Sequence, residues 1–263
     1  MSINRKYYSR PRQLGQYFLI NQEKLRKIAA ALDFKPDETI VEIGPGHGEL
    51  TELITGRIIA IEKDERLANY LKQKFSVQKN IEIISGDALK ILPKLEIKNY
   101  KLVGNIPFYL TGYLLRIIGE LENKPLLIVF TLQKEVAERI CSQPPKMNLL
   151  AASVQFWAEP KIIDYISKKD FQPQPKVDSA VIELKSITLG LRSQTKCYKE
   201  NYYRLIKILF KQPRKTILNN LATSLEKNKE EIIKILEASK IKPSDRPQDL
   251  TLEQIKNLTC QSS

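Results

Sequence analysis

The sequence is poor in the residues that bind metals or cross-link chains. It has one histidine and three cysteines in 263 residues. Cys141, Cys197 and Cys260 are far apart, odd in number and not arranged as metal pairs. Such spacing argues against both a disulfide framework and a zinc site. One histidine cannot supply a cluster, so no metal is expected. Long apolar runs are also missing. The longest, such as residues 126–132, falls far short of the roughly 20 residues that span a bilayer. The first residues read Met-Ser-Ile-Asn-Arg-Lys-Tyr-Tyr, with no apolar stretch behind their charges, which is unlike a secretory leader. There is no biased tract and no internal repeat. A reduced, cytoplasmic protein without a membrane segment is the expectation.

Hydrophobic residues make up 42% of the chain, enough for a packed core. The formal net charge is +13. An excess of this size favours a polyanionic partner through release of counterions from phosphates, although a lysine-rich soluble surface gives the same total. Residues 1–15 contain Arg5, Lys6, Arg10 and Arg12 and no acid. Residues 1–12 are read as a basic arm, with Arg10 and Arg12 as candidate RNA contacts.

Apolar spacing predicts a helix over 21–32. Short apolar runs then alternate with helical ones. Strands are predicted at 39–43, 57–61, 81–84, 101–104 and 126–131, with helices starting at 50 and covering 67–75 and 110–121. This alternation implies βαβ units and a parallel sheet. Two later runs, 153–157 and 180–184, are predicted to pair antiparallel at the sheet edge. After about residue 190 the pattern becomes helical, over 202–210, 216–225, 230–239 and 252–258. The expected fold is α/β, a Rossmann-like domain over 13–188 followed by a small all-helical C-terminal domain over 189–263.

Four motifs carry chemistry. The first, Val41-Glu42-Ile43-Gly44-Pro45-Gly46-His47-Gly48, closes the first predicted strand of the sheet. Glycines there allow a tight turn and close approach of backbone to a ligand. The second is Glu62, which ends the next strand 18 residues after Gly44. An acid near this spacing holds ribose hydroxyls in Rossmann-like sites. The pair also suits a dinucleotide, but Gly-Pro-Gly-His-Gly lacks the Gly-x-Gly-x-x-Gly spacing for a pyrophosphate. A ligand with a ribose and no phosphate fits better. The third is Ser85-Gly86-Asp87-Ala88, whose acid can accept from an adenine amino group or simply cap a helix. The fourth is Gly104-Asn105-Ile106-Pro107-Phe108. Adenine N6 is a poor nucleophile because its lone pair is delocalised into the ring. An asparagine oxygen and a neighbouring carbonyl can accept both N6 protons and draw the nitrogen toward tetrahedral geometry. Pro107 fixes the backbone of this acceptor pair. Phe108 offers a stacking face for a splayed-out base.

With these motifs stand Gln13-Leu14-Gly15-Gln16-Tyr17-Phe18-Leu19 and Phe171-Gln172-Pro173-Gln174-Pro175-Lys176-Val177-Asp178-Ser179-Ala180. Together they resemble the small-subunit ribosomal RNA adenine N6,N6-dimethyltransferases, over residues 10–185 and more weakly to the C-terminus. The resemblance implies S-adenosylmethionine as cofactor, held by Tyr17, Leu19, Gly44, Gly46, Glu62, Asp87, Ala88 and Asn105. Glu62 would take the ribose and Asp87 the cofactor adenine. Asn105, Pro107 and Phe108 would grip the target adenine, with Phe171 stacked on its other face. Tyr17 departs from the family, which usually has asparagine there. Residues 211–216, Lys-Gln-Pro-Arg-Lys-Thr, resemble the basic segment of the small-subunit branch, usually Arg-Arg-Lys-Thr, and make Lys211, Arg214 and Lys215 candidate RNA contacts. The implied partner is small-subunit ribosomal RNA in a pre-ribosomal particle, met by a monomer.

Rival readings are a large-subunit RNA methylase, a DNA adenine methylase and a non-catalytic RNA- or DNA-binding factor on the same fold. DNA adenine enzymes usually carry proline where Ile106 stands. Intact Glu62, Asp87 and Asn105 argue against a factor without catalysis. His47 is set aside as a catalytic residue. Trp157, Tyr7, Tyr8, Tyr202 and Tyr203 are assigned to packing.

Overall fold

A computed structural model describes residues 16–35, 37–187, 195–224 and 228–261. The basic arm, with Arg10 and Arg12, lies outside the described residues, as does the 188/189 boundary. The chain divides into two compact units, 1–137 with 159–186, and 138–158 with 187–263.

The first unit is built on a seven-stranded sheet. Its strands in chain order are β2 (Thr39–Ile43), β3 (Arg57–Glu62), β4 (Ile81–Ser85), β5 (Tyr100–Asn105), β6 (Leu127–Gln133), β7 (Ala158–Ile166) and β9 (Ser179–Ser186). They lie in the order β4-β3-β2-β5-β6-β9-β7. The first five are mutually parallel, and β9 runs antiparallel to β6. Inner strands β2, β3, β5 and β6 are buried along nearly their whole length. Such strands need apolar residues on both faces, which is why they read as continuous hydrophobic runs. Edge strand β4, Ile-Glu-Ile-Ile-Ser, is only half-buried. The other edge strand, β7, contains Pro160, which cannot donate to a ladder and is tolerated at an edge.

Helix α1 (Gln22–Ala31) starts at Asn21, whose side chain accepts from the Glu23 and Lys24 N–H groups. It buries Leu25 and Ile28 in a core with Ile40, Ile58, Val103 and Val129. Helix α2 (Glu65–Lys74) is capped by Asp64 and buries Leu67, Ala68 and Leu71 at helical spacing. Helices α3 (Ala88–Ile91) and α4 (Thr111–Glu120) follow β4 and β5. A separate two-stranded sheet pairs β1 (Phe18–Leu19) with β8 (Phe171–Gln172), antiparallel, with Leu19 opposite Phe171. Both side chains are buried, each contributing about 1.5–3 kcal/mol.

Helix α5 (Lys134–Ile140) follows β6. The second unit contains α6 (Leu149–Gln155), α7 (Lys196–Leu209), α8 (Ile217–Ala222), α9 (Lys229–Ala238) and α10 (Leu252–Gln261). Here the expectation for 153–157 fails. Those residues close α6 and the turn after it, and the partner of the 180–184 run is β6, with β7 on its outer side. Ala151, Ala152, Val154, Phe156 and Trp157 are all buried. A short helix that runs into a buried apolar turn offers too few polar positions to show a helical period, and imitates a strand. Phe156 stacks on Tyr202 with ring centroids 4.2 Å apart, and the Tyr202 hydroxyl donates to the Ala152 carbonyl. These aromatics are packing residues.

Candidate active site

Parallel strands end together. The carboxyl ends of β2, β3, β4 and β5 therefore bring Gly44, Glu62, Asp87 and Asn105 to one edge of the sheet. Register places Ile43 beside both Ile61 and Gly104, and Glu62 beside Ser85. Chain order reverses at β2, between β3 and β5, which is where open α/β sheets leave a crevice. A cleft of about 860 Å³, open to solvent, lies there. Its lining includes Tyr17, Gly44, Gly46, Glu62, Asp87, Ala88, Asn105, Pro107, Phe108 and Phe171, so ten of the expected site residues meet in one place. Leu19 is outside this lining. It is buried in the core beside the cleft and faces a smaller cavity with Leu25 and Glu42.

The glycine loop is shaped by conformation and by contact. Gly44 and Gly46 have φ of +67° and +62°, where a side chain is strained. A Cβ on Gly46 would come within 2.9 Å of the Phe18 ring, so β1 sits directly on the loop. His47 packs its ring against Phe18, centroids 4.4 Å apart.

Glu62 is 3% exposed. Its two oxygens accept from the Gly46 N–H at 3.3 Å and the Asp64 N–H at 2.8 Å. Burial pushes its carboxyl pKa up, and those two backbone bonds only partly offset the rise. Asp87 caps α3 by accepting from the Leu89 N–H, and its other oxygen takes the Lys63 ammonium at 3.0 Å. Burial alone would raise the Asp87 carboxyl, but Lys63 and the Leu89 N–H outweigh it and hold it below the usual range. No sequence motif assigns a role to Lys63. Its one signal was its place directly after Glu62, at the open end of β3.

Asn105 Nδ2 donates to the Tyr17 carbonyl at 2.6 Å. A carbonyl only accepts, so this bond fixes which end of the amide is nitrogen and leaves Oδ1 as the free acceptor. Among the described residues no donor meets that oxygen. Ile106 is held by its N–H bond to the Thr131 carbonyl, and the following proline confines it to extended backbone. Phe108 opens a short 3-10 turn, with its ring 5.5 Å from that of Tyr17 and tilted by 34°. Phe171 lines the cleft but is only 3% exposed, so most of its ring is core. Tyr17 thus enters the site in two ways, through its carbonyl to Asn105 and through its ring to Phe108.

Beneath the loop, Glu42 is buried with a hydrogen bond from the Thr51 hydroxyl at 2.7 Å. Burial raises its pKa to about 7, with the Glu49 and Glu62 charges adding to the rise. Folded Glu42 keeps its proton up to that pH, whereas the unfolded chain loses it in the ordinary carboxyl range. Its contribution is therefore fully present at low pH and lost as the pH climbs to about 7, a change of about 3 kcal/mol. Thermal unfolding at pH 5 and pH 8 should show a smaller loss of stability for Glu42→Gln than for the wild type. Equal losses would show that Glu42 is ionised in the fold.

The family model described as ribosomal RNA adenine dimethylase matches residues 9–258 of the 263. The chain belongs to this family. A ribosomal RNA small subunit methyltransferase A of Dehalococcoides mccartyi is 38% identical to it, covering 93% of this chain and 86% of the relative. The protein of the same name from Mycoplasma capricolum is 35% identical, covering 95% and 94%. Among solved structures, a dimethyladenosine transferase from Plasmodium falciparum matches with a TM-score of 0.77 at 24% identity, over 92% of this chain and 95% of that one. The 23S rRNA methyltransferase ErmE matches at 0.74 and 24%, over 93% and 99%. At that identity the two structures speak for the Rossmann-like methyltransferase fold alone. Among the described residues of this family member, no helix is long and apolar enough to cross a membrane, and no group of three or more His, Cys, Asp or Glu gathers as a metal site.

Proposed function

We propose that the protein transfers methyl groups from S-adenosylmethionine to the N6 amine of adenines in small-subunit ribosomal RNA, giving N6,N6-dimethyladenine. The observation that carries this reading is the Asn105 amide. Its nitrogen is tied to the Tyr17 carbonyl, its oxygen is free, and it stands beside Phe108 in the same cleft as Glu62 and Asp87.

The cleft fits the cofactor. Gly44 leaves bare backbone at the cleft, where a Cβ would have only the Asn105 carbonyl near it, and both carboxylates keep lone pairs beyond those used by the protein. Glu62 would hold the ribose hydroxyls, and Asp87 the adenine amine. Lys63 shares the Asp87 carboxylate and must accommodate that amine. When bound, S-adenosylmethionine supplies a methyl group on a positively charged sulfur. The protein's own task is to make N6 nucleophilic. Asn105 Oδ1 accepts from one N6–H, and one of the main-chain carbonyls beside it accepts from the other. These bonds strengthen as the nitrogen turns tetrahedral and gains positive charge, so they act mainly at the transition state. The Phe108 ring supports one face of the flipped-out base.

The reading extends to a pre-ribosomal particle as substrate, met in the cytoplasm by a single copy of the chain. In the second unit, Lys211, Arg214 and Lys215 are all exposed on the turn before α8. Buried Asn220 pins that turn by donating to the Gln212, Lys215 and Thr216 carbonyls, so the cations are presented on a fixed loop. Mass spectrometry of nucleosides after incubating unmethylated small subunits with labelled cofactor should find N6,N6-dimethyladenine. Label confined to large-subunit RNA, or no label, would refute the reading. Reversing all three charges should weaken RNA binding about tenfold or more and flatten its salt dependence. Unchanged affinity and slope would make this turn a plain solvated surface.

A further inference from the structure

A stripe of exposed residues leads out of the cleft along α4. Tyr109 lines the cleft and is 54% exposed, and Tyr113, one turn on, is 67% exposed. Gly112 between them and Arg116 one turn further are also exposed. The turn carrying Tyr109 runs straight into α4, so positions 109, 112, 113 and 116 share one helix face. Packing of α4 is done by Thr111, Leu114, Leu115, Ile118 and Gly119, which are buried. The fold therefore does not use the two tyrosine rings.

Gly112 is equally unused by the fold. Its backbone is not left-handed, and a Cβ built on it meets nothing within 4 Å. Glycine is among the least favourable residues inside a helix, so neither conformation nor packing accounts for it. What it provides is a flat strip of bare backbone between two rings. Arg116 ends the stripe, its Nε donating to Glu120 at 3.0 Å with both side chains exposed. Such a pair is weak, and the guanidinium has further N–H groups to offer.

Two open ring faces, a bare strip and a guanidinium match the needs of single-stranded nucleic acid, in which bases stack and phosphates take cations. The net charge of +13 agrees with that partner. Continuity with the cleft decides where on the RNA it acts. A base drawn into the cleft leaves its neighbours unstacked at the mouth, where Tyr109 begins the stripe. We propose that Tyr109, Gly112, Tyr113 and Arg116 form a subsite that stacks the nucleotides flanking the target adenine. This rests on the reading of the cleft as the seat of an RNA adenine.

The test uses the full chain and a fluorescent single-stranded RNA containing adenines, with methyl transfer and cofactor calorimetry alongside. The double variant Tyr109→Ala/Tyr113→Ala should weaken RNA binding about tenfold or more and raise KM for RNA more than it lowers kcat. Phenylalanine at both positions should restore binding to about twofold of the wild type, because the ring faces are kept. Gly112→Glu has room for its side chain and should keep the fold and cofactor affinity while weakening RNA binding, again about tenfold at low salt. If the wild type binds and methylates RNA and these variants match it, the subsite is overturned and the cleft reading stands. If the wild type neither binds nor methylates RNA, both fall. Phenylalanine variants as weak as the alanine ones would assign the effect to hydroxyls and overturn stacking. Loss of a protein partner at unchanged RNA affinity would also overturn the proposal.

Discussion

Replacing Asn105 with alanine should slow methyl transfer about a hundredfold to a thousandfold while RNA binding stays near normal. In the proposed reaction the Oδ1 bond to N6 is weak in the ground state, where the amine is flat and conjugated, and strong once the nitrogen carries charge. An interaction of that kind acts on kcat rather than on affinity. Losing one preorganised contact typically costs about 3–4 kcal/mol of transition-state stabilisation. The variant also leaves the Tyr17 carbonyl without its donor, so some cofactor affinity is expected to go with it. Asn105→Asp is a useful companion. It keeps an acceptor but cannot donate to Tyr17, and its charge would repel that carbonyl and swing the side chain away. Single-turnover transfer of labelled methyl to small subunits, with filter binding in parallel, separates rate from affinity. Transfer by Asn105→Ala at the wild-type rate would sink the mechanism.

The second large effect is expected at Glu62, where alanine should weaken S-adenosylmethionine binding about tenfold or more. Both carboxylate oxygens already accept one backbone N–H, and the lone pairs that remain are what two ribose hydroxyls would use. Charge-assisted bonds are worth roughly 1.5–3 kcal/mol each. Wild-type binding should also weaken as the pH falls toward the raised pKa of Glu62, since the protonated acid loses acceptor strength. Asp87 is held low and titrates only at more acidic pH. Glu62→Ala should lose that pH dependence. Calorimetry at two pH values on a folded variant, checked by circular dichroism, reads both effects. Unchanged affinity at neutral pH would remove Glu62 from the site.

How much of this was legible in the sequence depended on the range of the interactions. Strands β2, β3, β5 and β6 announced themselves because a sheet covered on both faces demands unbroken apolar runs. Gly44, Glu62, Asp87 and Asn105 could be placed together because parallel strands end on one edge. The two-residue strands β1 and β8 have no periodicity to detect, and their pairing spans most of the domain. Helix α6 imitates a strand because it is short and its second half, with the turn after it, is almost wholly buried. Strand β7 was hidden by Pro160 and its charged residues, the features that suit it to an edge. Within the cleft, the Lys63 ion pair and the Asn105 bond to a main-chain carbonyl were out of reach. A backbone carbonyl has no letter in a sequence.

The pairing of β1 with β8 also bears on when the cleft becomes complete during synthesis. Phe18 and Leu19 meet Gln172 and Phe171, Asn21 donates to Asp170 across 149 positions, and Tyr17 reaches Asn105 across 88. Contacts this distant in sequence carry the largest loop-closure entropy and form late. The five parallel strands and their helices are already translated by residue 133, but the wall over the glycine loop needs Phe171 and Gln172. A growing chain can hold the open half of its cleft for nearly forty further residues. The Asn105 amide nitrogen keeps its Tyr17 carbonyl partner in place, and so leaves Oδ1 free as an acceptor, only when the first and last parts of the domain have found each other.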